Sequence, residues 1–407
     1  MTDVELRPAD STELPAFYRC AIETFGGDVR DEDRERFGRL FEPERSLAVV
    51  DRGSIVGTTA IYTRNLTVPG GPRPAACVTM VTIAPTHRRR GLLTELMRRQ
   101  LTDLHEREQE PVAALWASQA PIYGRFGYGS AARDVTVTGT KDKMRLRPEV
   151  PLGSGRIELV PLERARAAFD GVYGAVAPGT PGLLSRDERW WDRLLFDGET
   201  VREGAGSRRH ALHTEEDGSV TGYATYRLRH APGDNGGVEV GEVFGTTPAA
   251  YAALWRFLAG IDLFPTVRRW HAPADDPLDA MVLDSRAVSR DVQDSLWIRL
   301  VDVERALATR TYAAALDVVL EVTDAFCPWN AGRVRLSGDG SGAACARTSD
   351  PADLTLSSTE LGAAYLGGPR LAALAAAGLV TEHTPGALAA ASRAFAGDRE
   401  PWCPEVF

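Results

Sequence analysis

The stretch Thr82-Ile83-Ala84-Pro85-Thr86-His87-Arg88-Arg89-Arg90, continued by Gly91-Leu92-Leu93, decides how the N-terminal part of this chain folds. The run from Val78 to Ile83 is mostly apolar and ends at Pro85, whereas apolar residues recur at helical spacing from Leu92. The order is therefore a strand, a basic turn and a helix. The first turn of a helix has unpaired N–H groups and a partial positive charge, so this arrangement favours a pyrophosphate. A basic helix start without a ligand is the alternative.

The pattern Arg88-x-x-Gly91-x-Leu93 resembles the acyl-coenzyme A loop of the GCN5-related N-acetyltransferase superfamily, with Leu93 in place of the usual small residue. Ala84 to Leu93, Ile122 to Gly129 and the terminal Glu405-Val406-Phe407 are together similar to the enhanced intracellular survival protein, an actinobacterial N-acetyltransferase family. The resemblance covers the whole chain. It implies an α/β (α+β) fold with two tandem GCN5-related acetyltransferase units, the second degenerate, and a C-terminal sterol-carrier-like α+β domain. The expected bounds are 1–148, 149–290 and 291–407.

The resemblance also implies acetyl-CoA as co-substrate, no metal, and two catalytic groups. Tyr123 is the expected general acid, although by itself it reads as a packed aromatic residue. The expected base is the terminal carboxylate of Phe407, whose ordinary pKa of about 3.5 must be raised by burial. Ser118 also reads as a helix cap. The residues expected to contact the coenzyme are Val81, Thr82, Ile83, Arg88, Arg89, Arg90, Gly91, Leu92, Leu93, Thr94, Ser118 and Gln119.

Two histidines compete weakly for the role of base. His87 lies in the basic loop, and His105 lies on the following helix, where a solvent-facing position is expected.

Substrate selection is expected to depend on negative charge, because a polycationic amine must be held while it is still charged. Asp28 and Glu405 are the expected contacts, although the acidic run around Asp28 also reads as a solvated face. The family implied by the resemblance acetylates aminoglycosides and lysine side chains and assembles as a hexamer.

Composition limits the class of protein. The chain has 407 residues, a net charge of -9 and 43% hydrophobic residues, which suits two or three globular domains. The acidic balance argues against a nucleic-acid partner. No signal-like N-terminus or long apolar run is present, so we expect a cytoplasmic protein without a membrane contact. Its five scattered cysteines suggest neither disulfides nor a zinc site.

The remaining sequence predicts further strands and helices. Val135 to Thr138 is expected to end the first sheet, and Leu296 to Val303 to begin the third domain. The junction Gly245-Thr246-Thr247-Pro248 follows a strand and precedes a helix, as the basic loop does, yet contains no arginine. The glycine-rich run from Gly338 to Gly342 lies between two short strands, which favours a hairpin turn over a nucleotide loop.

Two further functions stay open at this point. One is a non-catalytic carrier protein with a vestigial acetyltransferase unit. The other is an acetyltransferase for a small metabolite amine.

Overall fold

The computed structural model describes residues 4–230 and 236–407, and these residues form three β-sheets with flanking helices. In chain order the strands are β1 (Val4–Pro8), β2 (Leu47–Asp51), β3 (Ser54–Val68), β4 (Gly71–Ile83), β5 (Val112–Trp116), β6 (Gly129–Ser130), β7 (Arg133–Thr140), β8 (Arg156–Val160), β9 (Arg209–Thr214), β10 (Val220–Arg229), β11 (Gly237–Gly245), β12 (Thr266–Ala272), β13 (Val288–Asp294), β14 (Leu296–Leu300), β15 (Leu316–Thr323), β16 (Gly332–Asp339), β17 (Gly342–Arg347), β18 (Leu354–Ser357) and β19 (Val380–Glu382). The helices are α1 (Leu14–Thr24), α2 (Asp31–Gly38), α3 (Leu92–Arg107), α4 (Ala120–Tyr123), α5 (Leu162–Val176), α6 (Glu188–Leu195), α7 (Glu199–Arg202), α8 (Pro248–Gly260), α9 (Leu278–Met281), α10 (Val303–Ala308), α11 (Ser358–Ala364), α12 (Leu371–Ala376) and α13 (Ala387–Phe395).

The first sheet has the strand order β1-β2-β3-β4-β5-β14-β6. Strands β4 and β5 are parallel, and the basic loop and α3 form the connection between them. Side chains alternate between the two faces of a strand, so Tyr62 packs in the core with α1 while neighbouring Ile61 packs in the core with α3. The sheet is therefore covered on both faces.

The first and second sheets exchange strands. The strand predicted at Val135 to Thr138 forms as β7, but it pairs with β12 and β13 in the second sheet and does not end the first. Conversely, β14 was expected in the third domain and pairs instead with β5, from Leu296 opposite Trp116 to Leu300 opposite Val112. An apolar alternating run specifies a strand and its buried face but not its partner, which explains this correction.

The third sheet has the order β17-β16-β15-β18-β19, and its core is continuous with that of the first unit. The predicted hairpin turn between β16 and β17 is present. Helix α11 packs directly against β6 and β14. A Cβ on Gly129 would lie 2.0 Å from the carbonyl oxygen of Thr359 and 2.3 Å from the amide nitrogen of Ala363. Only a glycine therefore allows this helix to approach β6 so closely.

Candidate active site

Strand β4 bends at Met80, where its main chain adopts a left-handed conformation with φ of 52°. Thr58 pairs with Thr82 and Ala60 with Thr79, so β4 contains one extra residue relative to β3. The hydroxyl of Thr58 donates a 2.6 Å hydrogen bond to the carbonyl oxygen of Met80 and thereby supports this bulge. Pairing between β4 and β5 ends at Cys77 opposite Ala114, although β4 continues to Ile83 and β5 to Trp116. Beyond that residue the two strands diverge and leave a gap in the sheet.

The basic loop leads into α3 at the end of β4. Gly91 is the N-cap residue, with φ of 83°, and it supplies no side-chain cap to the helix. The amide groups of the first turn of α3 therefore have no side-chain oxygen from the cap residue. In the second unit the equivalent helix α8 is capped by Thr247, whose hydroxyl accepts a hydrogen bond from the amide of Ala250. This difference agrees with the interpretation of the second unit as degenerate.

A cleft of about 580 Å³ lies between the basic loop, the end of β4 and α4. All but one of the residues predicted to contact the coenzyme line it, the exception being Arg90. The predicted residues in the lining are Val81, Thr82, Ile83, Arg88, Arg89, Gly91, Leu92, Leu93, Thr94, Ser118 and Gln119. Leu93, the residue that departs from the superfamily pattern, is half-buried and does not close the cleft. Three guanidinium groups (Arg88, Arg89 and Arg125), a helix N-terminus and exposed strand ends suit a ligand with an anionic and an amide portion.

A second cavity, of about 310 Å³, adjoins this cleft. The two cavities share Phe25, Val81, Ser118 and Tyr123 in their linings. Tyr123 is only 5% exposed, and burial raises the pKa of its hydroxyl, although a hydrogen bond with the side chain of Ser118 acts in the opposite direction. Ser118 does not cap α4, because the N-cap residue is Gln119. Tyr123 therefore lies at the boundary of the two spaces.

Phe407 lines the second cavity together with Tyr123, and Phe407 is 8% exposed. Glu405 does not line either cavity, and its predicted contact with substrate has to be corrected. Its carboxylate is buried and accepts hydrogen bonds of 2.7 Å from Arg64 Nη1 and 2.7 Å from Arg186 Nε. A carboxylate already bound by two guanidinium groups is not available to an ammonium group.

Asp28 is exposed and lies outside the linings of both cavities. Within the acidic run that follows, Asp31 pairs with Arg34 and Asp33 with Arg36, so much of the negative charge is neutralised by α2 itself. Among the described residues that line the second cavity, Arg193 is the only one with a charged side chain.

Neither histidine that competed for the role of base faces the second cavity. His87 forms a 2.9 Å hydrogen bond with Asp51, and this bond lowers the pKa of the aspartate. His105 was expected on a solvent-facing surface, but it is half-buried and its ring stacks on Trp329 at 4.5 Å. The stacking partner comes from the third domain, which sequence spacing on α3 alone does not indicate.

Several residues that line the two cavities were not predicted from the sequence, among them Phe25 and Arg193. Phe25 ends the first helix and lines both cavities, and Arg193 on α6 of the second unit lines the second cavity. The sequence offered a signal for Phe25, because it is a large aromatic residue directly before Gly26-Gly27. In the structure this residue is 52% exposed. Nothing in the sequence around Arg193 indicates that it reaches the first unit.

The described ranges contain no cluster of histidine, cysteine, aspartate and glutamate suited to a metal ion. In the same ranges, every helix is too short or too polar to cross a bilayer. The five cysteines are free thiols.

Comparison with known proteins gives a consistent result. Residues 5–131 and again residues 182–300 match the family description "Acetyltransferase (GNAT) domain", and residues 303–404 match "Sterol carrier protein domain". These matches confirm the predicted fold class of two acetyltransferase units followed by a sterol-carrier-like domain.

Relatives match over nearly the whole chain. An uncharacterized N-acetyltransferase of Streptomyces coelicolor is 46% identical over 99% of this chain and 100% of its own length. N-acetyltransferase Eis of Mycobacterium tuberculosis is 33% identical over 95% of both chains. The crystal structure of Eis1 from Mycobacterium abscessus superposes with a TM-score of 0.86 at 33% identity, and covers 99% of this chain and 100% of that one. With this degree of identity over nearly the whole length, the chain belongs to the Eis-like family of N-acetyltransferases.

Proposed function

We propose that this chain transfers an acetyl group from acetyl-CoA directly to a primary amine of a polycationic acceptor, such as an aminoglycoside. The observation that carries the proposal is the position of Tyr123 and Phe407, which line one cavity that adjoins the cleft of the basic loop. A donor site and an acceptor site that share a wall permit direct transfer without a covalent enzyme intermediate.

The cleft suits acetyl-CoA in charge and in backbone geometry. Arg88, Arg89 and the first-turn amides of α3 complement a pyrophosphate. The diverging ends of β4 and β5 offer strand backbone to a chain of amides, as in recognition by strand addition. When bound, acetyl-CoA supplies a thioester whose carbonyl carbon is open to attack by an amine.

The reaction requires one proton to be removed and one to be supplied, and Phe407 and Tyr123 each take one of these roles. The acceptor ammonium must lose a proton before its nitrogen can attack, and the α-carboxylate of Phe407 is the acceptor for that proton. The leaving thiolate must gain a proton, and the phenol of Tyr123 donates it. Because burial raises the pKa of Tyr123, the hydroxyl stays protonated throughout the neutral range.

The polycationic acceptor is supported by the net charge of -9 and by the family resemblance. Exposed Asp28, shortly after the cavity-lining Phe25, would attract a second ammonium group from outside the cavity. Also part of the proposal are a hexameric assembly and action in the cytoplasm, with protein lysines as additional acceptors.

A second candidate acceptor is favoured by Arg193. Arg193 and Phe407 both line this mostly apolar cavity, and the guanidinium group of Arg193 suits an amine that also carries an anionic group. Such a zwitterionic metabolite would place its ammonium at Phe407 and its anion at Arg193.

The test is thiol release from acetyl-CoA by the intact chain and by a variant that carries one additional glycine after Phe407. A matched control carries the same single glycine inserted after Gly340, in the exposed turn between β16 and β17. We expect rapid release with kanamycin from the intact chain and the control, and a loss of about 100-fold or more in the extended chain, with coenzyme binding retained.

The acceptor is decided by a parallel panel. Release with zwitterionic amines but not with kanamycin or tobramycin would replace the aminoglycoside acceptor by the metabolite. Full activity of the extended chain would contradict the role of the terminal carboxylate, and absence of coenzyme binding would leave the non-catalytic carrier protein.

A further inference from the structure

The last residues of the chain form an irregular segment that is nonetheless largely buried. From Pro401 to Phe407 there is neither helix nor strand, yet Trp402, Cys403, Glu405 and Phe407 are buried. Chain ends are ordinarily frayed unless specific contacts hold them. We call this segment the C-terminal tail. Specific contacts must therefore hold it in its buried position.

Trp402 occupies a gap in the second sheet that corresponds to the gap between β4 and β5. Pairing of parallel strands β11 and β12 starts at Gly237 and ends at Val240 opposite Arg269, although β11 continues to Gly245. The ring of Trp402 packs on Phe244 of β11, with centroids 5.0 Å apart, and its Nε1 donates a 2.7 Å hydrogen bond to the carbonyl oxygen of His271 on β12. In this unit the chain itself enters the gap, and Trp402 forms part of the wall of a cavity of about 490 Å³ that remains beside it.

The main chain of the tail is held as closely as the ring. The amide of Trp402 donates a 2.8 Å hydrogen bond to the carbonyl oxygen of Pro181. A Cβ on Gly182, which has φ of 96°, would lie 2.6 Å from the carbonyl oxygen of Trp402. The second unit therefore fixes the position of the tail main chain at Trp402.

Three residues further on, Glu405 joins both acetyltransferase units. Its carboxylate is bound by Arg64 of β3 in the first unit and by Arg186 of the second unit, each at 2.7 Å. Arg186 also pairs with Glu242 of β11, so the four charged groups form one network. Burial acts to raise the pKa of Glu405, but the two guanidinium groups outweigh it and the pKa is lowered. The carboxylate is thus charged and held from two sides.

We propose that Glu405 is a positioning residue for the terminal carboxylate, and that the degenerate acetyltransferase unit acts as the holder of the C-terminal tail. The inference rests on the proposed role of the Phe407 carboxylate as base. Two residues separate the clamped side chain from the end of the chain, so the clamp limits how far the carboxylate can move relative to Tyr123. A displacement of about 1 Å in such a group can cost a factor of about 100 in rate.

The test compares Glu405→Gln, Glu405→Asp and Glu400→Gln in the full chain. Glu400→Gln removes the same charge from a half-buried residue directly before the C-terminal tail and is the matched control. The first readout is the rate at which carboxypeptidase releases phenylalanine from the folded protein, which does not depend on acetyl transfer. The second is kcat and KM for kanamycin and for acetyl-CoA.

We expect Glu405→Gln to release phenylalanine at least tenfold faster and to lose about 100-fold in kcat, with coenzyme KM unchanged. Glu405→Asp keeps the charge but shortens the side chain, so the tail should be displaced slightly. Phenylalanine should remain protected from carboxypeptidase, while kcat falls roughly tenfold. This second variant decides the matter if Glu405→Gln does not fold. Glu400→Gln should behave as the parent chain in both readouts.

Several results would overturn the proposal. A higher KM for kanamycin at unchanged kcat in Glu405→Gln would make Glu405 a substrate contact after all. If Glu405→Asp lost both coenzyme binding and protection from carboxypeptidase, Glu405 would be a structural residue only. If no amine is acetylated by the parent chain, the proposed function fails, while unchanged protection in Glu405→Gln would still refute the clamp separately.

Discussion

Replacing Gly129 by alanine should weaken the contact between the first sheet and α11. The added Cβ would lie 2.0 Å from the carbonyl oxygen of Thr359 and 2.3 Å from the amide nitrogen of Ala363, whereas ordinary contacts begin at 3.4 Å. Both neighbours are main-chain atoms of α11, so the helix must move by more than about 1 Å. Overpacking of this kind costs about 3 kcal/mol, at the upper end of the common range.

The assay is thermal unfolding of the parent chain and the variant at equal concentration. With about 2 °C lost per kcal/mol in a cooperative unit of this size, Tm should fall by roughly 6 °C. Gly124→Ala is the matched control, because no atom lies within 4 Å of its added Cβ and its φ of -56° suits alanine. That control should leave Tm unchanged or raise it slightly. A fall of less than 1 °C in Gly129→Ala, or equal falls in both variants, would refute the steric argument.

The remaining predictions concern the site and the tail. Arg88→Gln should raise KM for acetyl-CoA at least tenfold, because a charged hydrogen bond to phosphate contributes about 1.5 to 3 kcal/mol, whereas Arg107→Gln at the other end of α3 should change it less than twofold. Steady-state kinetics would expose an error if both variants behave alike. Tyr123→Phe should lower kcat by a factor of about 100 to 1000 with unchanged coenzyme affinity, and a pH profile of the parent chain should show no loss of the acid up to about pH 10, because the pKa of Tyr123 is raised. A drop in kcat near neutral pH that Tyr123→Phe abolishes would contradict this assignment. Since the pKa of Glu405 is lowered in the folded chain, its contribution to tail docking is complete above the unfolded value of about 4.3 and is lost as the pH falls through the lower folded value. Carboxypeptidase release of phenylalanine should therefore stay slow down to about pH 4, and faster release already at pH 6 would exclude this explanation.

The basic loop shows what local sequence can predict. The strand, the turn and α3 form where the apolar pattern and Pro85 indicate, because these elements depend on neighbours in the chain. Eleven of the predicted coenzyme contacts line one cleft for the same reason, since they lie on two adjacent strand ends and one helix start.

Long-range partners could not be read in this way. Glu405 looks like a free acidic residue near the chain end, and only the fold brings Arg64 and Arg186 to it. The same applies to Arg193, which reaches the second cavity from another unit, and to the pairing of β7 and β14. A sequence pattern specifies which face of an element is buried, whereas its partner is set by packing between distant segments.

The exchange of β7 and β14 bears on how the chain is made at the ribosome. Strand β6 is an edge strand of the first sheet that contacts β5 only through β14, which is synthesised much later. At ordinary rates of translation, the residues between Ser130 and Leu296 take roughly ten to thirty seconds to appear. Until then β5 presents an unpaired apolar edge beside the cleft of the basic loop. The first sheet therefore cannot be completed before the second unit has been synthesised. We expect protection by chaperones to matter most during this period.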